Sequence, residues 1–458
     1  MMGNFLKNEE NDLRGIFDRF RKRNFTGDTG QAIKNSSYQL TTNVVMKLGS
    51  LVFTIVIARM LLPELFGLYS LALATVVLFS SFADMGIGSA LITFVSKSLG
   101  QGNEKKAKAY FKKLLRWQTI LVTIIPLILI GSSYFIANSY YNKPIFYALL
   151  VGAFYIPLIG FESFFENLFR ANNKFKIPLI KEIIFQISRL TIIPLTIFIL
   201  LKINLGQDLI TAGIILSVNI VYFIGVLYLF FTSKKNIIFI KLKTSELNKK
   251  ETNELKKFIV PLTATALSGI FFGYIDTIML GHFVTSAYIG FYGVALGLVG
   301  SVSAVVGFSA ISFFPLFSKL EKISLEKIFK KGRNLTILIS LLAGIATYFL
   351  SYIIVEIAYG KDYLNSVPIL KYFVILIILL PLTGIYEMYF ISQKRTKPLA
   401  FLLVISTILN IILNFTFISY GIKFGQLEAV LGACFATIIS RGFYWVGLVI
   451  LKKRTRTN

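Results

Sequence analysis

The 458-residue chain has one cysteine, Cys434, and one histidine, His282. A disulfide within the chain is therefore excluded, as are metal centres built from Cys and His. A catalytic dyad with histidine as base would have to use His282, which follows an apolar run in a short connection, as an interfacial loop residue does. Charge is scarce: 15% of residues against roughly a quarter in soluble domains. So few charges cannot cover a water-facing surface. No Gly-rich phosphate loop of the Walker type is present, which argues against direct ATP drive. The first 36 residues lack the early apolar core of a secretory signal. What the chain has is 55% hydrophobic residues and a mean hydropathy of +0.72. These describe an all-α integral membrane protein.

A spanning helix needs about 20 apolar residues. Twelve segments qualify: 38–62, 66–94, 115–138, 145–169, 178–202, 208–232, 258–281, 286–316, 334–357, 364–392, 399–421 and 428–451. The net charge of +26 would suit a nucleic-acid binder, but that needs a basic face on a soluble fold. Here the cations alternate between connections. One set holds Lys97, Lys105, Lys106, Lys108, Lys112 and Lys113, then Lys174 and Lys176. It goes on through Lys234, Lys235, Lys241, Lys243 and Lys249 to Lys319, Lys327, Lys330, Lys331 and Arg333, and ends at Lys394, Arg395 and Lys397. The other set holds little beyond Lys143, Lys202, Lys361 and Lys423. The positive-inside rule puts the first set, and with an even span count both termini, in the cytoplasm of a multi-pass protein of the cell membrane. Around residues 13–25, Ile16, Phe17 and Phe20 among five cations read as an amphipathic segment on an anionic membrane surface.

The halves resemble each other. Gly67-Leu68-Tyr69 matches Gly290-Phe291-Tyr292, Phe94-Val95-Ser96-Lys97 parallels Leu316-Phe317-Ser318-Lys319, and Lys108-Ala109-Tyr110-Phe111-Lys112-Lys113 parallels Glu326-Lys327-Ile328-Phe329-Lys330-Lys331. A parallel six-plus-six repeat follows, two six-helix bundles around a central cavity, with alternating access by rocking of the halves. The expected division is a basic segment 1–36, a bundle 37–232, a linker 233–257, a second bundle 258–451 and a tail 452–458.

The stretch Ala58-Arg59-Met60-Leu61-Leu62-Pro63-Glu64-Leu65-Phe66-Gly67-Leu68-Tyr69 resembles the first external turn of the polysaccharide-biosynthesis flippases, of the multidrug/oligosaccharidyl-lipid/polysaccharide exporter superfamily. Phe82-Ala83-Asp84-Met85-Gly86-Ile87-Gly88-Ser89-Ala90-Leu91 is similar to their second span. The resemblance covers nearly the whole chain. It implies a non-enzymatic flippase for a lipid-linked oligosaccharide on a polyprenyl phosphate or pyrophosphate. Its partners would be that substrate, membrane lipids and glycan-assembly proteins, with no nucleic acid. A drug or organic-cation exporter on the same fold is the alternative, and a membrane glycan ligase or polymerase a more distant one. Short connections on the weakly charged side leave no room for the large external domain the last would need.

Charges inside spans are costly and face a cavity or a partner. Arg189 and Arg441 fall near mid-membrane and Lys47 somewhat inward of an end. A cationic cavity suits a pyrophosphate, which arginine binds as a fork. The competing role for each is pairing with a carboxylate or snorkelling. The acids are Asp84, Glu162, Glu166, Asp276 and Glu387. Glu166 and Arg170 share a helical face at i, i+4 and should pair. Asp276 either handles a coupling ion, Na+ or H+, or neutralises an arginine. No other cofactor or metal is expected. Asn43, Gln186, Asn219, Asn410 and Asn414 either line the path or bond between helices.

Overall fold

The computed structural model describes residues 27–241, 246–311, 317, 322–393 and 395–457. The amphipathic segment expected at 13–25 lies outside them, as do Lys243, Lys394 and most of the second copy of the Phe94–Lys97 motif. Among the described residues every regular element is helical: α1 (Gly27–Asp84), α2 (Ile87–Gly100), α3 (Glu104–Tyr134, wound on as a wider turn over Phe135–Tyr141), α4 (Phe146–Gly152), α5 (Tyr155–Ala171), α6 (Lys176–Ile203), α7 (Gln207–Asn236), α8 (Lys249–Phe283), α9 (Ser286–Ile311), α10 (Lys322–Tyr359), α11 (Ser366–Ser392), α12 (Thr396–Gly421) and α13 (Gln426–Thr457). Eleven helical stretches here are long and apolar enough to cross a membrane. The first runs from Lys34 to Gly100 and contains two of the expected spans, which reconciles eleven with twelve. Helix α1 starts ahead of the expected boundary at 37, and the connection between α7 and α8 is shorter than the expected linker 233–257. Polar side chains extend these ends: Gln31 bonds Asn35 at 3.1 Å and an Asn248–Glu251 capping box opens α8. The outer surface carries large apolar side chains such as Phe349 (77% exposed) and Ile357 (70%), as lipid contact requires.

Two breaks shape the first helix. Proline lacks an N–H, and its ring drives the preceding residue out of the helical region. Leu62, before Pro63, accordingly takes φ 58, ψ 171 and α1 kinks there. Past Asp84, Met85 (φ 42) and Gly86 (φ 79) turn the chain, and Asp84 Oδ1 accepts the Gly88 N–H at 3.1 Å to restart it as α2.

The kinked turn packs on its counterpart in the other half. A Cβ on Gly67 would lie 1.7 Å from the Ser286 carbonyl oxygen, and one on Gly290 2.3 Å from that of Pro63. Only glycine permits so close a backbone approach. More bonds cross between the halves at this weakly charged end. Arg59 Nε donates to the Ala358 carbonyl at 2.7 Å and Nη2 to that of Ile357, at the C-terminus of α10. Tyr363 OH donates to the Ala58 carbonyl at 2.8 Å, Lys143 Nζ to that of Gly281 at 2.6 Å, and His282 Nδ1 meets that of Tyr140 at 2.5 Å. Burial at this seam holds the Lys143 ammonium below its ordinary pKa.

The buried side chains follow the same geometry. One large cluster, with Ile57, Tyr141, Leu280, Tyr292 and Phe373, is shared by both halves. At the basic end the clusters separate: one around Phe111, Phe164 and Leu168 in the first half, one around Phe317, Phe329 and Tyr386 in the second. Helix α8 bridges them. Its first turns lie on the first half, through Phe258 on Phe94, Thr263 donating to the Met85 carbonyl (2.8 Å), and a Lys106–Glu251 ion pair at 2.6 Å.

Candidate functional site

Each half holds one mid-membrane guanidinium in the same way. Arg189 on α6 lies with its guanidinium carbon 3.7 Å from the centroid of Phe53 on α1, and its Nη1 donates to Ser50 Oγ at 3.2 Å. Arg441 on α13 lies 3.6 Å from the centroid of Phe272 on α8, with Nη2 3.5 Å from the Phe272 carbonyl. The supporting ring comes each time from the first helix of its half. Stacking on a ring face orients a guanidinium and leaves its in-plane donors available. Neither arginine forms an ion pair among the described residues.

Arg189 lines a cavity of about 60 Å³ with Tyr69, Tyr155, Phe185 and Tyr222. Tyr155 and Tyr222 join their hydroxyls at 3.2 Å, and Tyr69 reaches the arginine electrostatically along with Tyr274 of the other half. Arg441 feels Glu387, whose Oε1 accepts the Tyr444 hydroxyl at 2.8 Å, and Asp276. Both guanidiniums thus lie on helices that meet at or near the boundary between the halves.

Asp276 is buried and takes its bonds from neutral donors. Tyr292 OH donates to Oδ2 and Asn414 Nδ2 to Oδ1, each at 2.6 Å, and Thr437 Oγ1 also donates to Oδ2. Four helices contribute: α8, α9, α12 and α13. Asn410 extends the cluster to Ser440 at 3.0 Å, and the Oδ1 atoms of Asn410 and Asn414 are buried without a hydrogen bond. Oxygen donors around a carboxylate can hold either a proton or a small hard cation.

The first half has a different ionic centre. Lys181 on α6 bonds Glu162 (3.1 Å), Glu166 and its neighbour Glu182 (3.2 Å). Glu166 also takes Arg170 at 2.9 Å, the pairing expected from the i, i+4 spacing. Gln186 closes the cluster by donating to Glu182 at 2.7 Å. The sequence reading missed Lys181 and Glu182. The signal was available: α5 and α6 form a hairpin about the turn Asn172–Phe175, and equal steps back from it bring Glu166 opposite Lys181.

Other expected site residues lie apart. Asp84 caps the restart of α2 as described. Lys47 is exposed on the first arm of α1. Asn219 donates to the Val151 carbonyl at 2.8 Å, and Asn43 accepts from Gln39 at 3.2 Å.

Known proteins resemble the chain at two levels. Residues 32–321, more than half of it, match the family described as polysaccharide biosynthesis protein. Stage V sporulation protein B of Bacillus subtilis (strain 168) is 24% identical over 242 residues, 52% of this chain and 46% of that protein, so the alignment spans about half the relative's length. Solved structures share the fold. An inward-facing multidrug resistance MATE family transporter of the MOP superfamily superposes with a TM-score of 0.66 at 13% identity, covering 89% of this chain and 96% of its own. The lipid II flippase MurJ in an inward closed conformation gives 0.66 at 17%, covering 90% and 86%. A eukaryotic MATE transporter gives 0.60 at 12%, covering 92% and 96%. With the paired bundles and the motif Ala58–Tyr69 in place, the extent of the family match decides the assignment: this multi-pass membrane protein belongs to the polysaccharide biosynthesis protein family of the MOP superfamily.

Proposed function

We propose that the protein flips a lipid-linked oligosaccharide, carried on a polyprenyl phosphate or pyrophosphate, across the cytoplasmic membrane by alternating access. The carrying observation is the pair of ring-stacked guanidiniums, Arg189 over Phe53 and Arg441 over Phe272, one in each half. An anionic head group between the halves would engage both and so sense their relative position. The basic end faces the cytoplasm in this reading. The halves join at the opposite end, so the path opens toward the side where such lipids are assembled. A drug or organic-cation exporter on the same fold would call for carboxylates where these arginines stand. Family membership and the MurJ likeness support the lipid substrate, and the Asp276 cluster is the natural seat for a coupling proton or Na+.

The test is flipping of defined lipid-linked sugars in liposomes. Arg189→Ala and Arg441→Ala should abolish flipping while the protein stays folded. Arg→Lys should leave partial activity, because the charge stays and the fork is lost. Folded alanine variants with full transport would remove both arginines from the substrate path.

A further inference from the structure

The basic end of the second half carries a pocket that this path does not use. The repeat places Phe111 of α3 and Phe329 of α10 at matching positions. In the first half α7 ends at Asn236 and the chain folds back over its neighbours. Ile237 and Phe239 are 1% and 2% exposed, and the Phe239 ring meets Phe111 edge-on at 6.2 Å. In the second half the corresponding helix, α13, runs on to Thr457 instead. The space that a returning segment fills in one half is a pocket of about 130 Å³ in the other.

Its floor is apolar, from Phe329, Tyr386 and Val449, and its walls are basic: Lys330, Arg333, Lys452 and Lys453. Glu326 is the one carboxylate lining it, and it pairs with Lys452 at 2.5 Å while the Lys452 ammonium lies 4.3 Å from the Phe329 centroid. Lys452 is 9% exposed, a cation fixed in the wall. Arg333 turns Nε and Nη2 onto the neighbouring Asn334 Oδ1 at 3.3 and 3.0 Å. Four cations against one carboxylate leave the site strongly positive.

We propose that this pocket binds the phosphate of an anionic phospholipid from the leaflet at the basic end. An arginine fork and two exposed ammoniums match phosphate oxygens. Basic pockets between spanning helices at this depth take lipid head groups. The apolar floor suits the glycerol and first methylenes of a lipid and offers nothing to a free ion. The proposal does not depend on the transport reading.

The test uses the full chain, purified in detergent, with lipid retention read by native mass spectrometry. The probes are phosphatidylglycerol, phosphatidylcholine and inorganic phosphate. Lys330→Ala/Arg333→Ala/Lys453→Ala, which spares the buried Lys452–Glu326 pair, should weaken phosphatidylglycerol retention about tenfold or more, since each cation near a membrane surface contributes about 1 kcal/mol toward anionic lipid. Lys112→Ala/Lys113→Ala, in the filled first half, should change it little, and phosphatidylcholine should not distinguish the variants. Equal losses in both variants, or none in the first, would overturn the proposal. So would millimolar inorganic phosphate displacing phosphatidylglycerol, because that would make the site one for a free anion. If the triple variant loses its fold, Lys330→Ala/Lys453→Ala, which alters exposed side chains only, decides by the same readout.

Discussion

Gly290 lies against the backbone of Pro63 so tightly that a Cβ would stand 2.3 Å from the Pro63 carbonyl oxygen. Gly67 and Ser286 repeat the relationship with the halves exchanged. Pro63 precedes Gly67 by four positions, as Ser286 precedes Gly290. The internal repeat is thus also a contact, and the two copies of one turn close the bundle on each other. Opening this end requires that contact to part.

Gly290→Val should therefore shift the protein toward a state open at the weakly charged end. Overpacking against backbone costs about 1–3 kcal/mol, and separating the turns relieves it. Spin labels at Glu64 and Thr285, with Cys434→Ser to remove the native thiol, should report a longer distance in the variant. An unchanged distance in a folded variant would show that the turns do not separate as a gate.

Lys181→Met should lower the melting temperature sharply. It leaves Glu162, Glu166 and Glu182 without their shared cation, and stripping one partner from a buried ionic cluster costs about 3–5 kcal/mol. Adding Glu162→Gln and Glu182→Gln to the same chain should recover most of the loss. Failure of that recovery would mean Lys181 stabilises by packing, not by charge.

Asp276→Asn keeps the shape of the side chain and removes its charge. The donors Tyr292, Asn414 and Thr437 lose a charged acceptor, worth about 1.5–3 kcal/mol per bond at most, so the variant should fold with a moderately lower melting temperature. Transport in liposomes should stop responding to an imposed Na+ or H+ gradient. A retained response would move the coupling site elsewhere.

Sidedness is checked by reporter fusions. A reporter at Lys143 should lie outside the cell and one at Lys249 inside, from the alternation of basic connections. The same side for both would sink the assignment of the basic end to the cytoplasm.

The sequence by itself determined what depends on neighbouring residues. Apolar run length sets the spans, because a helix must cross about 30 Å of hydrocarbon with its own backbone bonds satisfied. Pro63 set the kink at Leu62 through its missing N–H. The i, i+4 step set Glu166–Arg170, and the recurrence of Gly67-Leu68-Tyr69 as Gly290-Phe291-Tyr292 announced the two halves. Tertiary structure decided whatever needs a partner on another helix. Arg189 and Arg441 were legible as costly mid-membrane charges, but the rings of Phe53 and Phe272 that hold them were two among 43 phenylalanines. Asp276 stood out as an intramembrane acid, yet the sequence left open whether an arginine or a coupling ion answered it. Packing answered with hydroxyl and amide donors from three other helices. Asp84 looked like the same kind of residue and proved to be a cap, because its carboxylate reaches the backbone four residues on. Period and length are written along one helix, whereas the face that a side chain presents, and what meets it there, arise only when helices pack.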